Sequence, residues 1–91
     1  MEHRFTATIE RSGDMDAAFV RLPVDIRALY CKGRLKVQAT FDGEPYNGSV
    51  VNMGVKNHDG SVCYIIGLTK AIRNKIGKTF GDTVEVTIAS L

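Results

Sequence analysis

The amino-acid sequence predicts a mainly β protein, a small β-barrel with two short helices. Two observations favour this fold class. Segments of alternating apolar and polar residues, typical of half-buried strands, recur along the chain. Two short helical segments each lie between an apolar strand and an alternating strand, so the chain contains the same unit twice. We therefore predict a double-split β-barrel with a pseudo-two-fold internal repeat, since closing a small sheet removes its unpaired edges.

The internal repeat is clearest when residues 19–27 are aligned with residues 65–73. Three positions then carry identical side chains: Leu22 with Leu68, Ile26 with Ile72, and Arg27 with Arg73. In both copies a glycine and then an alternating strand follow. The repeat predicts two interlocking halves of one barrel.

The first half of the chain is expected to form four strands and one helix. The strands are predicted at residues 4–10, 18–22, 34–41 and 45–51. Pro23 is expected to open the helix, because its missing N–H and fixed φ suit the first helical position. Ile26, Leu29 and Tyr30 have the spacing of an inward face, and Gly33 is expected to break the helix. A helix this short depends on tertiary packing.

A turn at Asp42-Gly43 predicts a hairpin, because this dipeptide is a strong turn signal. The second half then continues with a polar loop at 54–60, a strand at 61–67, a helix, and a last strand at 83–88. Thr69 is expected to cap the helix through its hydroxyl, and Gly77 to end it in the left-handed conformation. The strand at 61–67 is apolar on both faces, which predicts a central strand.

Length and composition predict a single domain over residues 1–91, with 44% apolar residues and a formal net charge of +2. This mild charge permits contact with an anion or nucleic acid without requiring it. No apolar run reaches the roughly 20 residues of a membrane span, and no signal-peptide core is present, so we expect a cytoplasmic protein. The two cysteines, Cys31 and Cys63, lack metal-ligand spacing and are expected to be free, buried thiols.

The basic residues fall into two groups, one around each predicted helix. They are Arg21, Arg27, Lys32, Arg34 and Lys36 in the first group, and Lys70, Arg73, Lys75 and Lys78 in the second. Under the pseudo-two-fold, Arg27 and Arg73 lie on equivalent surfaces and converge on one anion. Free N–H groups near Thr69 and Lys70 form another expected anion contact. Our candidate ligand-binding residues are therefore Arg27, Arg73, Lys70 and Thr69.

The same cations have an alternative interpretation, as solvated side chains or as partners of Asp25, Asp82 and helix carbonyls. This alternative stays open.

For catalysis, His58 lies beside Asp59 in the polar loop, but a general base needs a nucleophile and an oxyanion site within reach. No signature of that kind occurs in the sequence, so we expect no enzyme activity and no cofactor or metal.

Two resemblances carry the prediction further. An apolar strand, Leu22-Pro23, Asp25-Ile26-Arg27, a short helix, a glycine and a strand resemble the swapped-hairpin barrels of AbrB- and MazE-type regulators. This likeness covers residues 62–88 and, more loosely, 19–41. It implies a dimer that binds DNA through basic residues on the barrel surface.

The second resemblance covers nearly the whole chain. It rests on these segments in this order: Phe5 to Ile9, Phe19 to Pro23, Val37 to Gly43, Leu68 to Lys70 with Ile72-Arg73, and Gly81-Asp82 before a final strand. Together they resemble a bacterial family of uncharacterised domains, domain of unknown function nineteen-oh-five. Members of that family occur alone or ahead of a YdeI/OmpD-associated bacteriocin-protection domain. The resemblance implies a small double-split barrel with two short helices and implies no activity.

Two hypotheses for function follow from these observations. The first is a non-catalytic binding module, monomer or dimer, for a small anionic ligand or a protein partner, without membrane contact. The alternative is a nucleic-acid-binding barrel similar to the AbrB-type regulators, which we favour less because the net charge is small.

Overall fold

The computed structural model describes residues 2–13 and 16–90 of the chain. Its elements in order are β1 (Glu2–Thr8), β2 (Glu10–Arg11), β3 (Ala18–Arg21), α1 (Ile26–Tyr30), β4 (Leu35–Phe41), β5 (Glu44–Val51), β6 (Ile65–Leu68), α2 (Lys70–Ile76) and β7 (Thr83–Ser90). The predicted mainly β fold with two short helices is confirmed within these residues.

The strands form one antiparallel sheet with the order β1-β7-β4-β5-β6-β3-β2, curled into a half-barrel. The two strands at the ends of this order, β1 and β2, are separated in the chain only by Ile9. The two repeat units occupy corresponding positions in the sheet. The strand before the helix in one unit, β3, pairs with its counterpart β6, and the strand after the helix, β4, pairs with its counterpart β7. The finer double-split arrangement stays a prediction.

Residues that alternate along the strands form the buried inner face of the sheet. Along β4 the residues Leu35, Val37, Ala39 and Phe41 are buried, and β7 contributes Val84, Val86 and Ile88 to the same core. The β4–β5 hairpin turns at Asp42 and Gly43, whose φ angles are 50° and 87°. Two positive φ angles are the geometry that matches the strand twist, so the predicted hairpin is confirmed.

The first helix differs from its prediction at both ends. Asp25 is the N-cap, accepting hydrogen bonds from the backbone N–H groups of Arg27 and Ala28, so the helix begins after Pro23 rather than at it. It ends at Cys31, which has φ 57° and donates its N–H to the Arg27 carbonyl, before Gly33 is reached. Five residues make less than two turns, so α1 directs only Ile26 fully inward.

Two side chains predicted to be inward are instead exposed. Leu29 is 49% exposed, because α1 ends before a second turn can seat it against the core. Cys31 is also exposed, because it forms the helix terminus, whereas Cys63 is buried as expected. Both cysteines have free thiols, as predicted.

Two predicted strands are shorter or interrupted. The strand predicted over 4–10 is broken at Ile9. The Ile9 N–H donates to the Asp82 carbonyl, and the Ile9 carbonyl accepts from the Gly81 N–H, both in the turn before β7. The strand predicted over 61–67 begins only at Ile65, because residues before it bond elsewhere: the Cys63 N–H donates to the Val55 carbonyl. β6 nevertheless lies between β5 and β3, which confirms its predicted central position.

Folding is expected to become less favourable in acid, partly through Asp42. The Lys78 ammonium and then the Glu85 N–H hold the pKa of this carboxyl below its usual value. The ionised form therefore stabilises the fold above the unfolded-state pKa of about 3.9, and this contribution disappears as the pH falls through the lower folded-state pKa. Asp42→Asn, which also tolerates positive φ, should flatten the decline in urea midpoint below about pH 4. An unchanged decline would contradict this assignment.

Candidate anion-binding site

A cavity of about 260 Å³ opens where the start of α2 meets β3, β5 and β6. We call it the α2 cavity, and its lining consists of Asp16, Ala17, Ala18, Tyr46, Gly67, Leu68, Thr69, Lys70 and Arg73. Three of the four residues predicted from sequence, Thr69, Lys70 and Arg73, therefore lie together.

The local sequence explains how α2 presents these side chains. Thr69 caps the helix as predicted, because its hydroxyl oxygen accepts a hydrogen bond from the Ile72 N–H at 3.3 Å. Lys70 and Arg73 are three residues apart and so lie on one face of the helix. Gly77 ends the helix with φ 68°, also as predicted. Ile72 is buried and holds this helix against the sheet.

Arg73 is the one charged side chain buried in the part of the chain that the structure describes, with 6% exposure. Its Nη1 lies 3.1 Å from Asp16 Oδ1, and its Nη2 donates to the Asp16 carbonyl at 3.3 Å. Its guanidinium carbon lies 5.0 Å from the centre of the Phe80 ring. Among the described residues its buried Nε finds no hydrogen-bond partner, a state that costs about 1–3 kcal/mol.

Asp16 connects the two cations of the cavity. Besides Arg73, it faces Lys70, whose Nζ lies 3.7 Å from Asp16 Oδ2. The hydrogen bond from Arg73 lowers the pKa of the Asp16 carboxyl, and the charge of Lys70 acts in the same direction. One carboxylate between two cations leaves the cavity with a formal charge of +1. Sequence reasoning proposed Asp25 and Asp82 as partners and missed Asp16, which precedes Arg73 by 57 residues.

Arg27 does not line the α2 cavity. It lies in the last turn of α1, and its Nη2 is 2.8 Å from the position that a Cβ on Gly33 would take. No contact in the described structure brings Arg27 and Arg73 to a common point, so their sharing of one anion stays a prediction.

Another cavity, of about 400 Å³, lies between β1 and residues 21–23, with Asn57 and Cys63 on its wall. Its charged groups are paired, because Arg21 Nε donates to Glu10 Oε2 at 2.7 Å. Burial raises the pKa of the Cys63 thiol, so this cysteine is not activated as a nucleophile. We therefore assign no chemistry to this cavity.

Residues 2–13 and 16–90 contain neither a metal-binding cluster nor a membrane-spanning helix. No group of three or more His, Cys, Asp or Glu side chains is placed there to hold a metal ion. None of the helices in those residues has the length and apolar character to cross a bilayer.

Comparison with protein-family models gives a match over residues 5–88 to a domain of unknown function, DUF1905. The chain belongs to the DUF1905 family. The match confirms the second resemblance predicted from sequence. A comparison with curated proteins gives no match. The description of this family names no activity, so the function must be inferred from the α2 cavity and the charged surfaces.

Proposed function

We propose that this DUF1905 domain is a non-catalytic, cytoplasmic binding domain for a small anion with a short apolar body, held in the α2 cavity. The observation that carries the proposal is a nearly buried arginine beside an exposed lysine at an open cavity with a formal charge of +1. Small-molecule sites typically combine an apolar wall with a few placed polar groups, and this cavity has that composition.

Lys70 and Thr69 are the groups best placed to contact the anion. The Lys70 side chain is 71% exposed and touches Asp16 only at 3.7 Å, so it is free to turn toward a ligand. An exposed ion pair of this kind contributes about 0–1 kcal/mol, so displacing it costs little. The Thr69 hydroxyl accepts from Ile72, which leaves its own proton available to donate.

Arg73 has a different role in this proposal. Its two Nη atoms are engaged by Asp16, it lies near Phe80, and its unpaired Nε is buried, so Arg73 supplies positive potential from a fixed position rather than an accessible donor. Ala18, Leu68 and the Tyr46 ring provide the apolar wall for the body of the ligand. We expect dissociation constants of about a millimolar, equivalent to roughly −4 kcal/mol, for minimal probes, because such probes make few polar contacts and bury little apolar area.

The test uses butyrate and inorganic phosphate as probes, with binding followed by amide NMR shifts. Lys70→Gln removes the exposed charge. Gly67→Val fills the cavity without touching a charge, since a Cβ at Gly67 would come no closer than 4.0 Å to the Ala18 carbonyl oxygen. Both variants should weaken butyrate binding at least about fivefold. The control Lys56→Gln, on an exposed loop outside the cavity, should bind as the parent does.

Equal butyrate affinity in the parent, Lys70→Gln and Gly67→Val would contradict the proposal. Thermal unfolding of each variant shows whether the fold is intact, so that a loss of binding is assigned to the site. No response to either small anion would also contradict the proposal, and would leave a protein partner, the other occupant predicted from sequence, as the alternative.

Nucleic-acid binding through residues 70–78, which we call the α2 segment, has weaker support. All four basic residues of that segment are ion-paired: Lys70 and Arg73 with Asp16, Lys75 with Glu44, and Lys78 with Asp42. Carboxylates beside these cations would face any incoming phosphate, which opposes binding of a polyanion. The α2 segment therefore favours the small anion over the nucleic acid.

A further inference from the structure

A second basic surface differs from the α2 segment because its cations are not compensated. It consists of Arg27, Lys32, Arg34 and Lys36, and we call it the α1–β4 surface. The sequence from residue 26 to residue 41 contains no Asp or Glu. Among the described residues, none of these four cations forms an ion pair, whereas the five pairs that do form use Arg21, Lys70, Arg73, Lys75 and Lys78.

The cations Arg34 and Lys36 flank Leu35, the first residue of β4. Leu35 is buried, whereas Lys36 is exposed on the outer side of the strand and Arg34 is exposed in the bend just before it. With Lys32 they border a hollow of about 380 Å³, in which Leu35 is the only apolar lining residue.

Arg27 joins this surface from the helix. Its guanidinium lies over Gly33, the residue between Lys32 and Arg34, and its Nη2 is 2.8 Å from where a Cβ would stand. The glycine thus lets the arginine lie against the segment that carries the other cations. The Arg27 cation of α1 thereby lies beside the segment that carries Lys32 and Arg34.

The neighbouring strand continues this face with uncharged polar groups. Lys36 is paired in register with Ser49, and Gln38 with Asn47. Hydroxyl and amide side chains beside lysines and arginines are the groups that commonly contact phosphate oxygens.

We propose that the α1–β4 surface binds the phosphate backbone of a nucleic acid without reading its bases. Uncompensated cations side by side repel one another and attract anions. A small anion neutralises the charge of one of these side chains, whereas a chain of phosphates neutralises several of them and releases its condensed counterions. Three of the four residues that line the hollow are the cations Lys32, Arg34 and Lys36, which together carry more charge than one compact anion neutralises.

The experiment measures fluorescence anisotropy of a labelled 20-nucleotide oligothymidine at several salt concentrations between 50 and 200 mM. The variant Lys32→Gln/Arg34→Gln/Lys36→Gln should weaken binding more than about tenfold at the lowest salt. It should also reduce the slope of log affinity against log salt by about 2, since each phosphate contact to a single strand contributes about 0.7.

Two further variants separate position from charge. Gly33→Ala keeps every charge but displaces the Arg27 guanidinium, and should weaken binding several-fold. Lys56→Gln/Lys75→Gln removes two cations that lie outside both the α1–β4 surface and the α2 cavity, and should leave oligothymidine affinity nearly unchanged. A salt-independent affinity, or an equal loss in this control, would overturn the proposal. Butyrate binding by the triple variant stays at the parent level if the two sites are independent, so the failure of one proposal is distinguishable from the failure of the other.

Discussion

Replacing Phe41 by alanine is expected to lower the free energy of unfolding by about 3–5 kcal/mol. Phe41 is fully buried at the end of β4, where it is paired in register with Glu44 of β5 and Val86 of β7. Its ring centre lies 6.1 Å from that of Tyr46. A domain of this size has about 5–10 kcal/mol of stability in total, so the loss is a large fraction of it. Urea unfolding at neutral pH measures the change.

Leu29→Ala is the matched control for this prediction. Leu29 is 49% exposed although its spacing in the sequence predicts an inward position. Alanine has an equal or better helix propensity, so we expect a change below about 0.5 kcal/mol. A loss at Leu29 as large as that at Phe41 would contradict the exposed position of this side chain in α1.

Replacing Ile72 by alanine is expected to cost about 2–4 kcal/mol. Ile72 and Arg73 are the buried residues of α2; Ile72 belongs to the core, and the partly buried Ile76 packs against it. A helix of seven residues is not stable by itself, so loosening this contact should also release the Thr69 cap and the walls of the α2 cavity. Urea unfolding and amide hydrogen exchange along α2 measure the two effects.

Asn74→Ala provides the comparison for Ile72→Ala. Asn74 is exposed on the same helix, and alanine is the better helix former, so stability should be unchanged or slightly higher. Ile72→Ala without any loss of stability would show that α2 is not held to the sheet by this side chain.

The features of the fold that were predicted correctly depend on neighbouring residues in the chain. The alternation along β4 directs Val37 and Ala39 inward, and the Asp42-Gly43 dipeptide sets the hairpin. The N-cap at Thr69 was likewise predicted from its immediate neighbours. These signals act over a few residues, so the sequence displays them directly.

One missed feature of the fold is local. Asp25 caps α1 through hydrogen bonds to residues two and three positions along the chain, but Pro23 also suits a helix start, so two local signals compete there. Leu29 is exposed because that helix is so short. In the site, Lys70 and Arg73 could be named from their charge and spacing. Asp16 could not, because the fold brings it to Arg73 across 57 residues.

The proposed role of the α2 cavity is tested most directly by mapping where a small anion binds to the unmodified domain. The measurement is a two-dimensional amide NMR titration with butyrate at physiological salt. We expect saturable shifts at residues 16–18 and 67–73, which surround the cavity, with small shifts along β4. Shifts that are absent, unsaturable, or confined to Lys32, Arg34 and Lys36 would contradict the account.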